Sequence, residues 1–410
     1  MQKIKKIIII LLIIFSIPLK LLAQNLEEEY EDLDYVWLEQ QIQNAKEQIE
    51  PKINSKNAVV YDRTSKTVIF GKNEQQKVPM ASTTKIMTAI VLLENVESLD
   101  EKIEVTKQAA SVGGSRLGLK TGDIITYNDL LYGLMLCSGN DAATQIAISI
   151  GGSLEGFANM MNKKAKDLGL EHTSFVTPHG LDNEKHYTTA LELAKMADYA
   201  LNIEKFAQVV ATKIYTVTID GYPKTIRNTN ELLGNLDGVN GVKTGFTNGA
   251  GRCLVTSVIR DSFNIITVVL GADTKKLRTS DSIKLIEYTY NNYELADLQE
   301  VIDKIFGEWK QINEKRIKVY KGQKNHIDTV LGQLKYNKYP VLKGEKENIN
   351  VKINSNLKLE APIEENLKIG NIKVDLNTTE IMNVEILNGK KIERKNVFFY
   401  LEELMLLYKL

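Results

Sequence analysis

Met80-Ala-Ser-Thr-Thr-Lys-Ile-Met-Thr88 decides how the rest of the chain is read. Ile86, Ala89, Ile90 and Leu93 recur at helical spacing, so a helix begins near Ser82. Residues three apart on a helix share a face, and Ser82 and Lys85 can therefore meet. A serine hydroxyl is a poor nucleophile at neutral pH and needs a base within hydrogen-bond reach. A lysine is that base only where its ammonium gives up a proton readily, which burial or a second cation brings about. Two further stretches supply partners: Ser138-Gly139-Asn140 and Lys243-Thr244-Gly245. Singly each is weak, since Ser-x-x-Lys recurs by chance in long proteins. In this order, with the first opening a helix and the last on a strand, they are a specific signal. Lys243 is the candidate second cation. Ser138 can relay a proton to a leaving amine. Asn140 can donate to a substrate carbonyl and accept from Lys85. The backbone N–H of Ser82, at a helix start, and that of Phe246 are candidate oxyanion donors. Gly245 lets a substrate backbone lie close to the strand.

Outward from these stretches, Ala58-Val-Val-Tyr61 and Thr67-Val-Ile-Phe70 flank polar residues 62–66 and predict a hairpin. Residues 128–150, 155–168 and 188–202 read as helices. Strand patterns return at 214–219, 241–244, 252–258 and 264–270, and 280–290 reads as a closing helix. Strands, helices, then strands predict an α/β domain over 51–295, with an antiparallel sheet and a helical cluster. Beyond about residue 312 the pattern shortens. Alternating runs at 316–320, 349–353, 357–359, 372–374 and 384–387 are separated by turns such as Asn354-Ser355-Asn356 and Asn388-Gly389. They predict a small all-β, sandwich-like domain over 312–392.

Composition removes several classes. The 410 residues suit two or three domains. Apolar residues make up 43% and charged residues 25%, which argues against a disordered or fibrous chain. Lys+Arg and Asp+Glu number 52 each, so no basic excess points to nucleic acid. Two cysteines cannot make a disulfide scaffold, and with four histidines they give no zinc-ligand spacing. A Cys137–Cys253 disulfide suits an exported protein, but nothing in the sequence fixes its geometry.

The two ends read as addresses. Lys3, Lys5 and Lys6, an apolar run over 7–18 and Leu21-Leu22-Ala23 follow the order of a secretory signal peptide over 1–24. Lys20 and the bulky Leu22 keep an uncleaved anchor open as the other reading. Residues 25–50 form an acidic, part-helical segment, with Glu27, Glu28, Glu29, Glu31, Asp32 and Asp34 in its first third. At the other end, 397–410 predicts a helix. Val397, Phe398, Tyr400, Leu401, Leu404, Met405, Leu407 and Tyr408 cover one half. Glu402, Glu403 and Lys409 lie opposite, with Phe399, Leu406 and Leu410 between. Fourteen residues reach about 21 Å, too short to cross a bilayer core. With Lys390, Lys391, Arg394 and Lys395 before it, this tail reads as an interfacial membrane helix, or as an element docked on the β domain.

The chain resembles a low-molecular-mass penicillin-binding protein, a serine-type D-Ala-D-Ala carboxypeptidase. The likeness rests on Met80 through Thr88, Leu136-Cys-Ser-Gly-Asn-Asp-Ala-Ala143, Phe175-Val-Thr-Pro-His-Gly-Leu-Asp182, His186-Tyr-Thr-Thr189 and 237–247, and covers about residues 50–290. Leu359-Glu-Ala-Pro-Ile363 and Ile369-Gly-Asn-Ile-Lys-Val374 resemble the family's β-rich module, and an amphipathic tail is a family habit. The resemblance implies the penicillin-binding/β-lactamase type of α/β fold. It also implies a two-step acyl transfer at the terminal D-alanine of a peptidoglycan stem peptide, through an acyl-enzyme on Ser82. β-Lactams would acylate Ser82 and leave slowly, and no metal or organic cofactor is needed. Thr244 and Thr247 are implied as hydroxyl partners of the substrate carboxylate, and Arg278 as its cation. Phe246 stands where some relatives carry a histidine, so any role of that imidazole is absent.

Two rivals share the pocket. A class A β-lactamase would carry a Glu-x-x-Leu-Asn loop, which is missing here, and lacks the β domain. A non-catalytic penicillin-binding sensor would take a covalent label without releasing D-alanine. Endopeptidase action on cross-linked stems is a closer variant. His179 and His186 read as structural, Asp141 as a network residue and Cys137 as packing.

Overall fold

Five antiparallel strands carry the N-terminal unit, in the spatial order Val68–Lys72, Asn57–Asp62, Phe263–Ala272, Gly251–Arg260, Val239–Thr247. The computed structural model describes residues 34–46 and 51–408. The 1–24 signal-peptide reading, most of the acidic run at 26–34 and the last two residues of the tail lie outside them. The described residues divide into two compact units between Asn291 and Asn292.

In the first unit, both faces of the sheet are covered. Every residue of Asn57–Asp62 is buried, and Cys253 through Val258 form an unbroken buried run. Such strands lose the polar alternation of a one-sided sheet. Helix Lys275–Asn292 covers one face, with Tyr288 edge-on to Phe70 and Tyr290 to Phe263. Asp281 on that helix accepts from the Ser55 amide (2.7 Å) and hydroxyl (2.6 Å), fixing the entry to Asn57–Asp62. The helical cluster is built around Lys85–Asn95, which is buried from Lys85 to Leu92. A helix apolar on all sides belongs inside. Burial of a side chain such as Ile90 is worth roughly 1.5–3 kcal/mol.

The 58–61/67–70 hairpin, helix Leu154–Asp167 and strand Ile214–Ile219 lie where the sequence predicts them. One long element does not. The expected helix over 128–150 is two helices, Tyr127–Met135 and Asn140–Gly151, because Ser138 takes a left-handed backbone (φ 60°). The closing helix begins at Lys275, five residues before the expected 280, which places Arg278 in its first turn. Helix Glu204–Val210 and strand Tyr222–Arg227 were not expected.

The second unit is β-rich. Its main antiparallel sheet runs Thr329–Leu331, Thr379–Asn388, Lys368–Leu376, Ile349–Ser355. Ile372, Val374, Val384 and Ile386 alternate inward from it. Helix Leu298–Asn313, also unexpected, lays Leu298, Ile302 and Phe306 on this core at four-residue spacing. The tail forms a helix over Val397–Tyr408. No described helix is long and apolar enough to cross a membrane.

Candidate active site

Ser82 lies in a 3-10 turn, Ala81–Thr84, that runs directly into helix Lys85–Asn95. One turn on, Lys85 Nζ sits 2.8 Å from Ser82 Oγ, and Lys85 has no solvent exposure. The same nitrogen lies 2.7 Å from Asn140 Oδ1 and 3.0 Å from the His179 carbonyl oxygen. Asn140 Nδ2 donates to the Gly113 carbonyl (2.7 Å), which fixes the amide so that its oxygen faces Lys85. The Asn140 and His179 oxygens can only accept, so they hold two of the amine's hydrogens. The third position points at Ser82. There a proton is either carried by Lys85 or received from the hydroxyl.

The break at Ser138 brings Asn140 to this point. The Asn140 amide donates to the Ser115 carbonyl (2.8 Å). The fully buried Asp141 carboxylate accepts from the amides of Leu117 (2.7 Å), Gly118 (2.7 Å) and Leu119 (3.0 Å). Asp141 is thus a network residue, and its bonds lock loop 113–119 against Ser138-Gly139-Asn140. Cys137 and Cys253 carry free thiols, so the Cys137–Cys253 disulfide is not made. The Cys137 Sγ instead turns to the Gly133 carbonyl of the preceding helix (3.1 Å), and Cys253 pairs across the sheet with Gly245. Burial pushes the Cys137 thiol up to about 11, with Asp141 adding to the shift and Lys243 opposing it.

Strand Val239–Thr247 closes the site from the other side. A Cβ on Gly245 would lie 3.0 Å from the Ser82 nitrogen and 3.2 Å from Ala81 Cβ, so the strand passes tight against the Ser82 turn. Lys243 is buried, and its Nζ donates to the Thr244 carbonyl (2.9 Å). The Thr244 hydroxyl lies 2.6 Å from that of Thr229. A pocket beside this strand is lined by Thr229, Thr244, Gly245, Phe246, Arg252, Lys275 and Arg278. Arg252 stacks its guanidinium 3.7 Å over the Phe246 ring. Arg278 pairs with Glu231, Nη2 to Oε1 3.1 Å. The Thr247 hydroxyl donates to Asp182 (2.5 Å), which also accepts from the Gly249 amide (2.9 Å).

His179 and His186 are structural here, as the sequence leads one to expect, whereas Asp182, Glu231, Thr229 and Lys275 carry no signal in the sequence. His179 contributes a backbone carbonyl. His186 Nδ1 accepts from the Val176 amide (3.0 Å), so its Nε2 carries the hydrogen toward Thr84 Oγ1 (2.7 Å). Burial lowers His186 to about 4. Burial, then Lys85 and His186, lowers His179 to about 3. Both rings are neutral braces. Asp182, Glu231, Thr229 and Lys275 complete the rim and pocket.

Against known proteins, the family described as D-alanyl-D-alanine carboxypeptidase matches residues 43–274, and the penicillin-binding protein 5 C-terminal domain matches 304–394. The chain belongs to the D-alanyl-D-alanine carboxypeptidase family. Among these carboxypeptidases, DacF of Bacillus subtilis (strain 168) is 32% identical over 346 residues, 80% of this chain and 84% of that one. That of Streptomyces sp. (strain K15) is 35% identical over 257 residues, 58% of this chain and 88% of its own length. Penicillin binding protein 5 from Haemophilus influenzae superposes with a TM-score of 0.71 at 25% identity, covering 84% of this chain and 99% of that one. This carboxypeptidase has the family's penicillin-binding fold, an α/β peptidase unit followed by a β-rich unit.

Proposed function

We propose that this chain removes the terminal D-alanine from peptidoglycan stem pentapeptides through an acyl-enzyme on Ser82. The observation that carries the reading is the buried amine of Lys85, held by Asn140 and His179 with its third position on Ser82 Oγ. Ser82 Oγ attacks the carbonyl between the two terminal D-alanines while its proton passes to Lys85. The amides of Ser82 and Phe246 hold the oxyanion. As the C–N bond breaks, the proton reaches the leaving amine through Ser138, with Lys243 supplying positive charge. D-Alanine departs, and water then releases the shortened peptide by the same base. Asn140 orients the substrate. Gly245 lets the peptide lie along the strand. Thr244, Thr247 and Arg278 face its terminal carboxylate. β-Lactams follow the first step and stall at the second.

The enzyme works outside the cytoplasmic membrane, after export by its first residues. The exposed Phe398, Leu404, Leu406 and Leu407 of the tail helix, with Lys390, Lys391 and Arg394 before it, support contact with the membrane surface.

Mass spectrometry of the purified chain with a stem pentapeptide, then with penicillin, reports reaction, acylated residue and turnover together. D-Alanine release and a stable penicillin adduct on Ser82 are expected. Ser82→Ala should abolish both. Lys85→Arg should nearly do so, because a guanidinium does not give up its proton. Sustained penicillin turnover, or wild-type rates in either variant, overturns the reading.

A further inference from the structure

The pocket beside Ser82 holds three cations, Arg252, Lys275 and Arg278, together with the hydroxyls of Thr229 and Thr244. Two of these cations are already engaged by a carboxylate of the protein itself. Glu231 Oε2 lies 3.2 Å from Lys275 Nζ, and its Oε1 3.1 Å from Arg278 Nη2. The Thr279 hydroxyl donates to Oε1 as well. Burial works against the Glu231 carboxylate, but Arg278 and Lys275 outweigh it and hold its carboxyl below the usual range.

The turn that presents Glu231 is fixed from both sides. Asn230 Nδ2 donates to the Gly241 carbonyl (3.0 Å), and its Oδ1 accepts from the Leu232 amide (3.2 Å). Asn228 Oδ1 accepts from the Asn230 amide (3.0 Å). The carboxylate therefore reaches the pocket from a turn pinned to the Lys243 strand. Arg278 is only 4% exposed, yet its Nε has no hydrogen-bond partner among the described residues. An unmet N–H on a buried guanidinium is costly and marks room for a further acceptor.

We propose that Glu231 is a positioning residue for the leaving amino acid. It holds Arg278 and Lys275 at a fixed spacing to receive a free C-terminal carboxylate. This rests on the carboxypeptidase reading above. Lys275 and Arg278 set against the one carboxylate of Glu231 leave this trio one positive charge, matched to one incoming carboxylate. The ion pairs also hold two long side chains in place before substrate arrives, so less ordering is needed at binding. The selected class is a peptide ending in an unblocked α-carboxylate. A leaving group without that acid gains nothing from the arrangement.

The test uses the full chain and two substrates with the same acyl half. One is an acyl-D-Ala-D-Ala peptide. The other is the acyl-D-alanine p-nitrophenyl ester, whose leaving group has no carboxylate. In Glu231→Gln the peptide-to-ester ratio of kcat/KM should fall about 10- to 100-fold, the size expected for losing a charged hydrogen bond. Glu231→Asp should recover much of that ratio. Lys275→Gln, which leaves Glu231 one cation, should lower the ratio mainly through KM. An equal loss on both substrates, or an unchanged ratio, in Glu231→Gln overturns the role of Glu231 alone. A wild-type enzyme that cleaves the peptide and its C-terminal carboxamide equally well overturns the carboxylate pocket, and this proposal with it.

Discussion

The His186 ring is held uncharged from both sides, its Nδ1 accepting from Val176 and its Nε2 facing Thr84 in the Ser82 turn. The folded protein keeps His186 near 4 and His179 near 3, against an ordinary value of 6.5. As the pH falls through that ordinary value the unfolded chain takes up protons at these two positions and the folded chain does not. Stability is therefore lost on acidification, by up to about 1.4 kcal/mol per pH unit for each ring. Glu231, held below its ordinary 4.5, adds to the loss only at lower pH. Urea midpoints measured between about pH 7 and pH 5 should fall, and His186→Asn should flatten the slope. A midpoint independent of pH across that window would show that the rings are protonated in the fold. These roles were only half legible beforehand. Ser82 and Lys85 announce themselves because their contact is local, one helical turn. The His179 carbonyl and Glu231 meet Lys85 and Arg278 across long stretches of chain. A backbone carbonyl leaves no mark in sequence, and a glutamate leaves none that separates it from a solvated one.

Among the elements, loop 177–182 shows how close the packing of this site is. Gly180 has φ 88°, and a Cβ there would lie 1.9 Å from the Ala81 carbonyl oxygen and 2.6 Å from Thr84 Oγ1. Only glycine lets this loop press on the Ser82 turn and bring the His179 carbonyl to Lys85. Gly180→Ala should push the two apart and slow penicillin acylation by roughly 100-fold, the cost of a displacement near 1 Å at a reacting group. Gly169→Ala is the matched control, with the same left-handed backbone (φ 68°) but nothing within 4 Å. It should lose some thermal stability and keep its acylation rate. Equal acylation in the two variants would remove the loop from the catalytic geometry. Elements with strong apolar periodicity, such as Leu154–Asp167, could be read from the chain. The interruption at Ser138 could not, because apolar spacing continues across it. The break falls at the left-handed Ser138, and it is held by Asp141, whose carboxylate binds three amides more than twenty residues upstream. Strand Tyr222–Arg227 is exposed on four of its first four positions and carries no alternation to read.

At the scale of the whole molecule, the chain order of the sheet bears on independence. Asn57–Asp62 pairs with Phe263–Ala272, so the first and last strands of the peptidase unit close on each other before residue 291. Ser82, Lys85, Ser138, Asn140 and Lys243, the groups proposed for catalysis, and the pocket cations all lie within that closed unit. The β-rich unit has its own core, from Leu298 and Ile302 to Val384 and Ile386. The carboxypeptidase family match, residues 43–274, lies wholly before residue 291. A chain ending at Asn291 should therefore fold alone, melt in one cooperative step and acylate with penicillin within about 3-fold of the full chain, the margin expected when no site contact is lost. The full chain, with two separate cores, has two units that can melt apart. Calorimetry and acylation kinetics on both chains decide the matter. A fragment that is unfolded, or folded but slowed well beyond that margin, would mean that the β-rich unit holds the catalytic geometry rather than placing it, and the closure of the sheet would not be enough to make the unit self-sufficient.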